Sequence, residues 1–126
     1  MLSHMEKVQI QQVLQALIAD CDEIQAALVV TVDGHLCAMQ QRENYPLERL
    51  ATMGSSLMSL GDTITAELRL GSCKNIISEN EGGIVAFMHV NSALVLVTLT
   101  VQKNALGLLV AHSRRCATDL LKILGA

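Results

Sequence analysis

The sequence predicts an α/β fold of the α+β kind, a three-layer sandwich with helices on both faces of a sheet. Three observations lead there. Apolar periodicity along the chain reads as α-β-β-α-β-β-β-α. The segment 94–101 is apolar at Leu94 and Leu96 on one side and at Val95, Val97, Leu99 and Val101 on the other, so both faces of its sheet must be covered. A chain of 126 residues has room for one core, so residues 1–126 are expected to form a single domain. Two terminal helices can cover one face of the sheet and a long middle helix the other.

Each element has a local cause. Over residues 5–19, Val8, Leu14, Leu17 and Ile18 recur at helical spacing among glutamines, and Asp20-Cys21-Asp22 ends the run. The β-branched run 26–32 meets Asp33-Gly34 and then the apolar run 35–39. Asp-Gly between two such runs predicts a type I′ hairpin, whose two central residues take positive φ. Asn44-Tyr45-Pro46 opens the long helix, because proline at a helix start gives up an N–H that would be unpaired anyway. That helix is expected over residues 47–70, closed by Gly71. Strands over 73–79, 84–90 and 94–101 follow, joined by the short turns 80–83 and 91–93, and so form an antiparallel meander with the first strand at its edge. The last helix, residues 105–124, aligns Leu106, Leu109, Val110, Ser113, Ala117, Leu120 and Leu124.

The long helix carries an apolar arc wider than one sheet contact needs, and the arc divides by size. Leu50, Met53, Leu57, Leu60, Ile64 and Leu68 fill one half; Ala51, Gly54, Met58, Gly61 and Thr65 fill the other. A mid-helix glycine costs about 1 kcal/mol relative to alanine, and close approach of another backbone is the usual compensation. With no other helix of the chain left for that side, the small-residue stripe is expected to meet the same stripe of a second copy, giving a homodimer. The strand 73–79, with Ile76-Ile77 between Lys74 and Glu79, offers little protection against edge pairing and is a second place for the dimer to join. The expected interface is therefore Ala51, Gly54, Met58, Gly61 and Thr65 on the helix with Cys73, Asn75 and Ile77 on the strand.

Composition narrows the function. The chain has 9 Lys+Arg against 12 Asp+Glu, one Tyr, one Phe and no Trp, so it has neither the basic excess nor the stacking surfaces that nucleic acid requires. Its mean hydropathy of +0.40 is high for a small domain and points to apolar surface covered by another chain. The longest apolar stretch, residues 84–101, is broken by His89 and Asn91-Ser92 and reads as a hairpin, so no membrane span is expected. No secretory segment is visible, so a cytoplasmic location is expected. Cys21, Cys37, Cys73 and Cys116 form no paired knuckle and are expected as free, buried thiols, with no metal site. The glycines form no phosphate cradle, no cofactor is implied, and no nucleophile elbow serves the histidines, so no catalytic residue is assigned and the chain is not read as an enzyme.

The element order, the hairpin residues Val29-Val30-Thr31-Val32-Asp33-Gly34, the segment 57–71 and the ending Leu106-Gly107-Leu108-Leu109 together resemble the Roadblock/LC7 domain over residues 5–124. The resemblance implies a five-stranded antiparallel sheet between two terminal helices and one central helix. It also implies a homodimer or heterodimer joined sheet edge to sheet edge, with the central helices side by side. Members of that family are non-catalytic dimers that bind Ras-like small GTPases as activating or scaffolding partners, or serve as light chains of dynein. No GTPase-facing residue carries over singly. Profilin-like and longin-like folds share the β-β-α-β-β-β core, so the alternative is a small-ligand sensor, which needs a cavity in the sheet, or a general dimeric scaffold.

Overall fold

A computed structural model describes residues 2–125. The eight elements come in the predicted order: α1 (His4–Asp20), β1 (Ile24–Thr31), β2 (Leu36–Gln41), α2 (Leu47–Glu67), β3 (Asn75–Asn80), β4 (Gly83–His89), β5 (Leu94–Thr100) and α3 (Leu106–Leu124). The strands form one antiparallel five-stranded sheet in the order β2-β1-β5-β4-β3. β5 lies at its centre, which is why it is apolar on both faces. On one face α1 and α3 bring Ile10, Leu14, Leu109 and Leu120 onto Val29, Ala86 and Leu96. On the other, α2 brings Ala51 and Met58 onto Leu28, Phe87, Val95 and Val97. The serine on the apolar face of α3 is satisfied inside the core: Ser113 Oγ and Thr98 Oγ1, both buried, share a hydrogen bond of 2.7 Å.

α1 starts with a capping box. The Ser3 hydroxyl accepts the Glu6 N–H and the Glu6 carboxylate accepts the Ser3 N–H, so two otherwise orphaned donors are satisfied. Its other end is held by Arg42, whose guanidinium donates to the carbonyls of Ile18, Cys21 and Ile24.

Two local expectations change. The β1–β2 turn is not type I′: Gly34 has φ of 97°, but Asp33 is not in the positive-φ region. Instead the Gly34 N–H donates to Thr31 O and the Thr31 N–H to His35 O, a type I turn followed by a left-handed glycine. The longer loop also shifts the β1–β2 register between Val29 and Val30. α2 ends at Glu67 rather than near residue 70, because Arg69 already turns left-handed, at φ 57°, two residues before Gly71, which does so as well at 84°. The Leu70 N–H reaches Thr65 O and the Arg69 N–H reaches Ala66 O, the paired bonds of a Schellman ending. At the β3–β4 hairpin, a Cβ on Gly83 would lie 2.2 Å from Thr100 O, so only glycine lets β4 start against β5 there.

Candidate functional site

α2 is where sequence and structure differ most. Ala51, Gly54, Met58 and Gly61 are buried, and they face the chain's own sheet. A Cβ on Gly54 would meet the Phe87 ring at 3.3 Å, and one on Gly61 would meet Ile76 Cδ1 at 2.8 Å and Cys73 Sγ at 3.0 Å. The expectation that this stripe meets a second copy is therefore corrected. Phe87 and Ile76 stand up into α2 beneath Gly54 and Gly61, and at those two turns only a residue with little or no side chain lets the helix come down over them, while Met58 fills the space between. Thr65, half-buried at the end of the stripe, turns its hydroxyl to Asp62 O at 3.2 Å.

Most of the larger half of the arc faces outward, while Leu50 and Leu57 pack against the edge of the core under α2. Met53, Leu60, Ile64 and Leu68 are 59%, 56%, 50% and 62% exposed, with Leu50 and Leu57 half-buried between them. The positions 50, 53, 57, 60 and 64 advance by alternating steps of three and four, the seven-residue repeat with which one helix packs along another.

Beside this row runs the open edge of β3. A two-residue hairpin places Asn80 opposite Gly83 as its closing pair. Counting back by the antiparallel alternation, Asn75, Ile77 and Glu79 turn their N–H and C=O groups away from β4 and toward the edge. Cys73 lies before the strand, not in it. Its N–H donates to Asp62 Oδ1 at 3.0 Å and its thiol lies under Gly61, so it anchors the connection between α2 and β3.

Asp62 holds that connection from the helix side. Its second oxygen, Oδ2, is 2.9 Å from His89 Nε2 on β4. The His89 hydrogen bond, helped by the Cys73 N–H, holds the Asp62 carboxyl below the usual carboxylate range. The remaining ring nitrogen, His89 Nδ1, is buried with no hydrogen-bond partner among the described residues. The pair lines one end of an open groove of about 1050 Å³ that passes the end of the sheet between α2 and α3, with Lys74 and Arg114 along it. Burial, then the Asp62 charge, pushes the Cys73 thiol upward. Burial pushes Cys116 up to about 12, so the Arg114-Arg115 pair beside it in sequence does not activate it. All four cysteines are free, and no group of three metal-ligating side chains occurs among the described residues. Among those residues no helix is long and apolar enough to cross a membrane.

The family model of the Roadblock/LC7 domain matches residues 10–100, from the middle of α1 to the end of β5. The chain belongs to the Roadblock/LC7 domain family. No curated protein matches it by sequence alone. Among solved structures, MglB of Myxococcus xanthus superposes with a TM-score of 0.89 at 19% identity, covering 99% of this chain and 94% of that one. A Roadblock/LC7 domain from Streptomyces avermitilis follows at 0.82 and 14%, covering 92% and 98%. Profilin of Schizosaccharomyces pombe, at 0.67 and 11%, covers 90% and 97%, so the fold shared with profilins is present in this Roadblock/LC7 chain as well. Asp62 and His89 stand 27 positions apart, and no sequence signal pairs them. The outward row was legible as an apolar half-helix, with its orientation misassigned.

Proposed function

We propose that this Roadblock/LC7 chain works in the cytoplasm as a non-catalytic homodimer that binds a Ras-like small GTPase and regulates or scaffolds it. The observation that carries the reading is the outward row Met53, Leu60, Ile64 and Leu68 lying beside the open edge of β3. Four large apolar side chains half or more exposed in a small domain call for a covering surface. A second copy supplies one with the same seven-residue repeat, related by a two-fold axis that also sets β3 against β3 of its partner. The interface proposed here is thus the outer row of α2 with Asn75 and Ile77.

Family membership supports the GTPase, and the chain's own chemistry fits the part of a binding partner. It has no phosphate cradle, and Arg42 is committed to the end of α1. Stimulation of the GTPase would come from ordering the partner's own switch loops, and binding would follow the nucleotide state of those loops. The test has two parts. Light scattering at micromolar concentration should give twice the chain mass, and a monomer would overturn the dimer. A pull-down of the small GTPases of the same cell, loaded with GDP or a GTP analogue, should give nucleotide-dependent binding of at least one. Failure across the set, with a thermal shift on a small metabolite, would favour the ligand-sensor reading and the groove at the end of the sheet.

A further inference from the structure

The sheet has two edges, β2 and β3, and their outward backbone groups are used differently. On β2, Met39 stands opposite Leu28, near the middle of a six-residue strand. Its N–H and C=O are both taken from outside by one side chain. Gln11 of α1 donates Nε2–H to Met39 O at 2.6 Å and accepts the Met39 N–H on Oε1 at 3.2 Å. A primary amide bonded both ways to one residue does what an opposing residue does in a hydrogen-bonded antiparallel pair. The second Nε2 hydrogen reaches Gln40 Oε1 at 3.0 Å, which holds the amide in that orientation. On β3 no side chain among the described residues is bonded to the backbone of Ile77, the corresponding central position.

We propose that Gln11 is an edge-closing residue: by filling the strand-pairing groups of Met39 it shuts the β2 edge against a second copy of this chain. Strand addition is thereby confined to β3, which limits assembly to a closed two-fold pair. Without it, each dimer would present two further edges, and pairing β2 to β2 would extend the sheet from dimer to dimer. The β3 half of this statement rests on the dimer proposed above; the closing of β2 does not.

The experiment uses the full chain and two substitutions at this surface position of α1. Gln11→Ala keeps the helix and removes both bonds. Gln11→Glu keeps an acceptor for the Met39 N–H, cannot donate to the carbonyl, and adds a charge that repels an incoming strand. In Gln11→Ala the Met39 amide should exchange roughly 3–10 times faster than in the wild type, and sedimentation should show concentration-dependent species larger than the wild-type form. In Gln11→Glu the larger species should be absent. Unchanged Met39 exchange in Gln11→Ala, or faster exchange without larger species, would overturn the proposal. A monomeric wild type whose Gln11→Ala variant self-associates would support the closing role of Gln11 while overturning the β3 dimer. Protection of the Ile77 amide reports on that dimer separately.

Discussion

Along its inner side α2 presents Ala51, Gly54, Met58 and Gly61, buried against the sheet; along its outer side Met53, Leu60, Ile64 and Leu68 stand half or more exposed. Hydropathy alone would seat the larger residues on the core, because each buried Leu or Met contributes about 1.5–3 kcal/mol. Shape decides otherwise. The sheet under α2 already supplies bulk from Phe87, Ile76 and Val97, and a helix presenting leucines at positions 54 and 61 would be held too far away to close the layer. Met53, Leu60, Ile64 and Leu68 are left outside, the row on which the proposed dimer rests. Small apolar residues on a helix thus mark where it comes closest to something, and do not say whether that is its own chain or another.

This contrast makes substitutions on the two sides separable. The largest effect is expected on the inner side. Met58→Ala, at a site 1% exposed, should lower unfolding free energy by about 2–5 kcal/mol in urea titration. Gly61→Leu should cost about 1–3 kcal/mol from overpacking against Ile76 and Cys73. If it instead left the unfolding of the monomer unchanged and only split the dimer, the two sides would have to be exchanged. On the outer side, Leu60→Lys should leave monomer stability within about 0.5 kcal/mol and weaken self-association by about tenfold or more in analytical ultracentrifugation.

The smallest effect is expected where the sides meet. Asp62 has a depressed carboxyl pKa, so its stabilising contribution is present above 3.8 and is lost as pH falls through its lower folded value. Asp62→Asn should therefore flatten the pH dependence of Tm below about pH 4. The change will be modest, because a side chain 40% exposed is well screened.

Much of the fold was legible because it depends on pattern. β5 is apolar on both faces and sits in the centre; β3 is short, half-polar and lies at an edge; the terminal helices share one face. What was not legible depends on shape or on distant partners. The 50–68 and 51–65 halves of α2 are both apolar, and nothing in a helical projection shows which neighbours protrude. The type I turn at Thr31–Gly34 and the type I′ alternative share the same Asp-Gly signal but frame it differently: the first centres on Val32-Asp33 with Gly34 following, the second on Asp33-Gly34, and only the second needs positive φ at Asp33. Of the site, the open strand Asn75–Asn80 and the existence of a surplus apolar half were readable. The Asp62–His89 bond and the Gln11–Met39 pair were not, since each joins residues 27 or 28 positions apart through side-chain geometry.

Arg42 closes the N-terminal third of the molecule with one side chain. Standing just after β2, it gathers the carbonyls of Ile18, Cys21 and Ile24, so the last turn of α1, the entry to β1 and the exit from β2 share a donor. All three are within about 24 residues of it along the chain, a short loop to close compared with the pairing of β1 to β5, which must wait for some seventy residues to be placed. The helix, the hairpin and their latch can therefore assemble as a local unit, one early foldon onto which the rest of the sheet is later added.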